Sequence, residues 1–220
     1  MTPPWASLNR DLTRLLALSD GVFAFAMTLL VLGLVVPAGF GSTSNVSAYL
    51  EGLWPAFLSY LLGFLVIYLY WRQHGLLFRY IVSYDWMVSN LNILLLLFVA
   101  MMPFMTVLLA KAGQALLVVW LYAAIQEASG LTLLALWRYS SQGYRHVDPN
   151  VPPEWIHFVS RVQMTGPVLF AVSVPLALWN PYASEILWFF TLFVMVMYRY
   201  RARRASGPND SMKKDLRSSA

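Results

Sequence analysis

The chain has 220 residues, of which 59% are hydrophobic and only 11% are charged, and its mean hydropathy is +0.60. Soluble domains carry about 25% charged residues, so this composition excludes an ordinary soluble domain and indicates an integral membrane protein. The absence of cysteine excludes disulfides and cysteine nucleophiles, and the net charge of +5 lies mostly at segment ends and in the tail, which indicates membrane orientation and not nucleic-acid binding.

Six apolar segments follow one another along the chain, and each is near the roughly 20 residues that a helix needs to cross a bilayer. Their bounds are 15–36, 50–71, 86–110, 115–137, 162–179 and 182–198. Pro167, Pro175 and Pro181 interrupt the last two, so the backbone groups that they free must bond to neighbouring helices. We expect an all-α membrane domain over 1–205 and a disordered polar tail over 206–220.

The basic residues alternate between the predicted loops. The N-terminus, the second and fourth loops and the tail hold nearly all of them, whereas the loops near Glu51, Lys111 and Glu185 hold one between them. Positive charge collects on the cytoplasmic side, so we expect both termini there, in a multi-pass membrane protein. This placement requires an even number of crossings, in agreement with six.

The first segment contains an aspartate, Asp20, within its membrane-spanning stretch. A carboxylate there costs about 3 kcal/mol on insertion scales, so other polar groups must compensate for it. Asp20 lies on the order of 9 Å deep, and His74, Asn90 and Asn92 of the next two segments reach a similar depth. We expect a hydrogen-bonded network among these four side chains that holds helices together or supports gating. Contact with a permeating ion and a proton relay are the alternatives that remain open.

Another side of the first segment is apolar. At about 100° per residue, Phe25, Leu29, Leu32 and Val36 form one stripe with Thr28 at its edge. Asp20 is rotated away from this stripe by roughly 140°, so the carboxylate and the stripe face different directions. The stripe faces either lipid or a symmetry axis, where a hydrophobic constriction can gate ions by dewetting. Periodicity alone does not choose between the two.

Three stretches resemble motifs of the transmembrane protein 175 family, the endosomal and lysosomal potassium channels and their bacterial relatives. Residues 14–22, Arg-Leu-Leu-Ala-Leu-Ser-Asp-Gly-Val, resemble its opening motif of Arg, three variable residues and Phe-Ser-Asp. Residues 71–74, Trp-Arg-Gln-His, resemble its Trp-x-x-His. Asn92, followed by Pro-Phe-Met-Thr at 103–106, resembles its Asn…Pro-Phe-Pro-Thr. Together the three stretches span residues 14–106.

The resemblance implies six helices per subunit and a homotetramer in which the first helix lines a central pore. It implies a potassium-permeable leak channel without a Thr-Val-Gly-Tyr-Gly filter, a string that this sequence lacks. The implied partners are the bilayer, monovalent cations and further copies of the chain, with potassium as the permeant species and no cofactor or resident metal. The implied pore and gate positions are Phe25, Thr28, Leu29 and Leu32. The implied bracing network consists of Arg14, Ser19, Asp20, His74 and Asn92.

Three positions depart from the family pattern. Leu18 replaces the motif phenylalanine, and Met105 replaces the second proline of Pro-Phe-Pro-Thr. Phe25 stands where the family usually has isoleucine or leucine. Four phenylalanine rings around an axis are expected to narrow or reshape the constriction, and each ring face can attract a cation by about 1 kcal/mol.

The remaining polar residues favour weaker interpretations. Gln126 and Glu127 in the fourth segment are expected to form an interhelical hydrogen bond, and a proton-coupled secondary transporter that uses Asp20 and Glu127 is the alternative function. An enzyme is not expected, because no nucleophile–base pair or metal constellation occurs in the sequence. His146 and His157 match no zinc spacing and are expected on the surface.

Overall fold

The computed structural model describes residues 4–36, 40–41, 46–113, 115–180, 183–184 and 186–188. Within these residues, five helices are long and apolar enough to cross a membrane. They are α1 (Pro4–Leu29), α2 (Val46–Phe78), α3 (Trp86–Ala112), α4 (Leu116–Ser141) and α5 (Pro153–Trp179). The expected all-α membrane architecture is confirmed for this part of the chain. The predicted tail, 206–220, and most of the predicted sixth segment, 182–198, lie outside the described residues.

The helices extend beyond several of their predicted ends. α2 continues past the predicted 71 to Phe78, and α5 begins at Pro153 instead of 162. An apolar run marks only the part of a helix suited to hydrocarbon, whereas the helix itself continues into the polar interface. The C-terminal end of α1 comes earlier than predicted, at Leu29 instead of 36, because a 3-10 turn over Leu30–Gly33 follows it. Pro37 lies four residues after Gly33 and disfavours helical backbone at Val36, the residue before it.

The helices enclose a common apolar core. α3 packs against α1, α2 and α4, and α4 packs in turn against α5. The largest fully buried apolar side chains come from all of these helices except α5, and they include Phe23, Ile67, Leu95, Met102 and Trp137. α1 therefore buries one side against α2 and α3 within a single subunit.

Two glycines permit close helix contacts. A Cβ at Gly63 of α2 would lie 2.7 Å from Thr106 Cγ2 and 3.0 Å from Leu30 Cδ2, so only glycine lets these three elements approach so closely. A Cβ at Gly130 of α4 would lie 3.0 Å from Cγ of Pro167. The missing side chain provides room for the proline ring, and α5 stays continuous through Pro167 although proline removes a helical hydrogen bond.

The second and fourth loops lie side by side at one end of the bundle. The Val82 amide donates to the His146 carbonyl at 2.9 Å, and the Asp148 amide donates to the Tyr80 carbonyl at 3.0 Å. The surface position expected for His146 is wrong, since this residue is only 9% exposed beneath the paired loops, whereas His157 is exposed as expected. The two loops with the same predicted side of the membrane thus meet in space.

Asp85 lies between the paired loops and α3. Its Oδ1 accepts the Val88 amide at 3.0 Å as the N-cap of α3, and its Oδ2 accepts the Tyr139 hydroxyl at 2.5 Å. His146 Nε2 lies 3.4 Å from the same Oδ2. Burial of the carboxyl raises the pKa of Asp85, but the hydrogen bonds from Tyr139 and Val88 and the proximity of His146 outweigh it and lower the pKa from 3.8 to about 2. The ionised carboxylate therefore ties α3 to α4.

Candidate functional site

Helix α1 has one side that the rest of the subunit leaves uncovered. Exposed residues follow one another along it at alternating steps of four and three, the spacing of a continuous helical stripe. They are Arg14, Leu18, Gly21, Phe25 and Thr28 of α1 and Leu32 of the 3-10 turn that follows it. Phe25 is 65% exposed and Leu32 is 69% exposed, whereas Leu29 at the edge of the stripe is half-buried. Three of the four predicted pore positions therefore share this uncovered side, and Leu29 borders it.

Thr28 is the polar member of this stripe. Its hydroxyl donates a 2.8 Å hydrogen bond to the carbonyl of Phe25, one helical turn earlier. A hydroxyl whose hydrogen is bound to the backbone can still present oxygen lone pairs to its surroundings. Thr28 therefore offers an acceptor oxygen among apolar neighbours.

The buried side of α1 joins a three-helix hydrogen-bond chain. His74 Nε2 of α2 lies 2.8 Å from Asn92 Oδ1 of α3, and Asn92 Nδ2 donates to Ser19 Oγ of α1 at 2.9 Å. Ser19 Oγ donates in turn to the Leu15 carbonyl at 2.9 Å. Because an amide oxygen can only accept, this arrangement assigns the hydrogen to Nε2 of His74. The donors and acceptors of this chain thus all point one way, from α2 through α3 to α1.

Aromatic rings pack against the His74 end of this hydrogen-bond chain. The rings of Phe23 and Phe78 lie 5.6 Å and 4.4 Å from the His74 ring, centroid to centroid. Ser19 and Asn92 are fully buried, and His74 is 1% exposed. Hydrogen bonds shielded from water in this way are strengthened, and breaking one leaves a costly unsatisfied group. The rotation of α1 relative to α2 and α3 is therefore strongly constrained.

Asp20 lies next to this chain but has a different partner. Its Oδ1 accepts a 2.7 Å hydrogen bond from Nε1 of Trp71 on α2, and Asp20 itself is exposed. Asn90 of α3 is also exposed, on the other side of its helix from the buried Asn92. Of the four residues expected in one layer, the structure joins His74 to Asn92 and places Asp20 and Asn90 outside that hydrogen-bonded pair.

Arg14, which the bracing network was expected to include, and Arg72, the neighbour of Trp71, both have partners other than Asp20 in the single subunit. The side chain of Arg14 is 81% exposed, and its Nη1 lies 3.9 Å from Asp11. Arg72 Nη1 donates to the Tyr68 hydroxyl at 3.2 Å. Neither guanidinium forms an ion pair with Asp20 within the described residues. A bracing role for Arg14 therefore stays a prediction.

The polar pair in α4 differs from its expected arrangement. The interhelical hydrogen bond comes from the Tyr70 hydroxyl, which donates to the main-chain carbonyl of Gln126 at 2.8 Å. Glu127 Oε2 and Gln126 Oε1 are buried and have no hydrogen-bond partner among the residues that the structure describes. The side-chain bond expected for Glu127 is thus not seen at this oxygen.

The sequence alone did not reveal that Trp71 donates a hydrogen bond to Asp20 or that Asp85 is the N-cap of α3. Trp71 reads as an interfacial tryptophan, although its i, i+3 spacing to His74 places both on one side of α2 and signals a shared partner helix. Asp85 directly precedes the apolar run of α3, which is the signal of an N-cap. Both sequence signals were present, but the hydrogen-bond partner of each side chain lies on another helix and became known only from the structure.

Several known proteins resemble this chain. Residues 14–103 match the family described as the endosomal/lysosomal potassium channel TMEM175. A potassium channel of Streptomyces collinus is 35% identical over 144 residues, which are 63% of this chain and 68% of that protein. A potassium channel of Chamaesiphon minutus is 32% identical over 168 residues, which are 74% of this chain and 83% of that protein.

Solved structures share the fold. The crystal structure of a lysosomal potassium-selective channel TMEM175 homolog from Chamaesiphon minutus matches with a TM-score of 0.75 and 28% identity, over 86% of this chain and 98% of that one. The T38A variant of the potassium channel MtTMEM175 matches with a TM-score of 0.59 and 19% identity, over 87% of this chain and 93% of that one. The second match supports the fold alone.

Proposed function

The chain belongs to the TMEM175 family of potassium channels, and from this premise we propose that it is a potassium-permeable leak channel whose pore is lined by α1. Its family is one of channels and not of enzymes. Potassium is the permeant species, and conduction requires no cofactor or resident metal.

The observation that carries this proposal is the uncovered stripe on α1. The side of this segment that carries Ser19 and Leu30 is buried within the subunit. Phe25 and Leu32, on the other side, are 65% and 69% exposed. An apolar surface of this kind marks a site of contact with another molecule. Four copies around an axis would bring Phe25, Leu29 and Leu32 together as a constriction that gates by dewetting.

Thr28 provides the polar ring within this constriction. Its hydrogen is engaged by the Phe25 carbonyl, so four threonine oxygens around the axis would offer lone pairs to a partly dehydrated cation. This chemistry replaces the Thr-Val-Gly-Tyr-Gly filter, which the sequence lacks. The neighbouring rings of Phe25 add a weak attraction for a cation.

The buried side of α1 acts as the brace of the pore. The chain from His74 through Asn92 to Ser19 sets the rotation of α1, and the bond from Trp71 to Asp20 holds the same helix at its edge. Because breaking any of these bonds leaves a polar group without a partner, the stripe is kept toward the axis. Asp20 and Ser19 therefore position the pore and do not contact the ion.

The proposed assembly is a homotetramer in a bacterial plasma membrane, with both termini in the cytoplasm. The pairing of the second and fourth loops at one end of the bundle supports this topology, because both loops carry basic residues. Arg14 would then surround the cytoplasmic mouth of the pore.

The alternative is a proton-coupled transporter that uses Asp20 and Glu127. The buried oxygen of Glu127 without a partner favours it, whereas the engagement of Asp20 by Trp71 argues against a freely exchanging carboxylate. Purified protein in liposomes with a potassium gradient distinguishes the two. A channel gives potassium, caesium and sodium flux without a proton gradient and unitary currents in bilayers. Flux that saturates and requires a proton gradient would favour the transporter, and absence of all cation flux would exclude the channel.

A further inference from the structure

A groove of about 830 Å³ opens on the side of the bundle between α2 and α5, and Leu16 and Asp20 of α1 complete its lining. It lies where α2 ends at Phe78 and α5 begins at Pro153. Tyr80 and Trp155 line it, with ring centroids 6.0 Å apart. Tyrosine and tryptophan collect at membrane–water interfaces because each joins an apolar ring to a polar atom. The groove therefore lies at the end of the bundle where the second and fourth loops meet, and it has the aromatic lining typical of a membrane interface.

Two arginines give this groove its charge. Arg72 and Arg79 of α2 both line it, two helical turns apart along the same side of the helix. Neither guanidinium has a carboxylate within ion-pair distance in the described part of the chain. The carboxylate among the lining residues, Asp20, already accepts the Trp71 indole hydrogen.

Arg72 is held in place without being neutralised. Its Nη1 donates to the Tyr68 hydroxyl at 3.2 Å, and its Cζ lies 5.8 Å from the centroid of the same ring. A guanidinium carries five donors in a planar fork, so this single bond leaves others for a ligand. Forked donors suit the oxygens of a phosphate group.

The other wall of the groove is apolar. It includes Phe158 and Val162 of α5, while Leu76 of α2 adds apolar surface between the two arginines. A free phosphate ion would gain nothing from these side chains, whereas an acyl chain would remove their surface from water. We propose that the groove binds an anionic phospholipid, with its phosphate between Arg72 and Arg79 and an acyl chain along Phe158 and Val162.

The proposal goes beyond ion conduction, and its test uses binding as the readout. The purified full-length chain in zwitterionic micelles is titrated with phosphatidylglycerol or with phosphatidylcholine of the same acyl chains, and bound lipid is counted by native mass spectrometry. We expect retention of phosphatidylglycerol only. Replacing one arginine near an anionic lipid weakens binding about fivefold, so Arg72→Gln with Arg79→Gln should weaken it at least tenfold.

Arg138→Gln is the matched control, because Arg138 is exposed near the same end of the bundle and does not line the groove. It should keep the affinity of the wild type. If the double variant does not fold, Arg79→Gln alone should lower the affinity about fivefold at an unchanged melting temperature.

Four results would overturn the proposal. They are an equal loss in Arg138→Gln, equal retention of phosphatidylcholine, displacement of the lipid by millimolar inorganic phosphate, and no lipid bound to the wild type. The last result would point to a neighbouring copy of the chain as the occupant of the groove.

Discussion

The Trp71 indole donates a 2.7 Å hydrogen bond to Asp20 Oδ1, and this bond joins α2 to the exposed edge of α1. It provides a partner for a carboxylate that is costly within a membrane-spanning segment. The buried chain through Ser19 and Asn92 lies beside it, so α1 is held at its edge and on its buried side.

Trp71→Phe should loosen α1 while keeping an aromatic ring at the interface. A hydrogen bond to a charged group contributes about 1.5–3 kcal/mol, and exposure of this pair places it at the lower end. We expect a lower melting temperature in detergent together with altered potassium flux. Trp86→Phe is the control, because Trp86 is 69% exposed at the start of α3. A Trp71→Phe channel with unchanged stability and flux would remove the bracing role of this bond.

Phe25→Ala should enlarge the proposed constriction. Four large rings would be replaced by methyl groups at the narrow point, so we expect a severalfold larger unitary conductance and a smaller preference for potassium over sodium. Phe104→Ala is the matched control, since Phe104 is 62% exposed but lies on α3. Currents that stay the same in Phe25→Ala, or change equally in Phe104→Ala, would show that Phe25 does not line the pore.

Asn92→Leu should destabilise the subunit more than Asn90→Leu. It removes an acceptor for His74 and a donor for Ser19, and each buried group left without a partner costs about 1–3 kcal/mol. Asn90→Leu on the exposed side of α3 should change the free energy of unfolding by less than about 0.5 kcal/mol. Chemical denaturation in detergent measures both, and equal effects of the two variants would contradict the importance of the buried chain.

Acid should weaken the contact between α3 and α4. The pKa of Asp85 falls from 3.8 to about 2 on folding, so the stabilisation is complete above the unfolded value and is lost as the pH drops toward about 2. We expect the melting temperature to fall over this window in the wild type and to fall less in Tyr139→Phe, which lacks the phenol donor. Identical acid profiles for the two proteins would argue against this contact.

Much of the fold follows from local sequence. Runs of apolar residues long enough to span a bilayer identified α1 to α5, because that requirement depends on composition and length alone. The ends were less accurate, because polar residues interrupt the apolar runs before the helices end. Arg72, Gln73 and His74 do so in α2, and Arg161 does so in α5. The predicted depths placed His74 and Asn92 in one layer with Asp20 and Asn90, and the family resemblance added Ser19 to the network. The structure joins His74, Asn92 and Ser19 and leaves Asn90 apart.

The sequence by itself thus determined the membrane class, the helical segments and the two chemically different sides of α1. Tertiary structure decided which side is buried, that Asp20 bonds to Trp71, and that His146 is enclosed beneath paired loops. The physical reason is the distance along the chain over which each property is set. Hydropathy and helical periodicity are properties of neighbouring residues, whereas a hydrogen-bond partner is selected by the rotation and approach of helices that lie far apart in the chain.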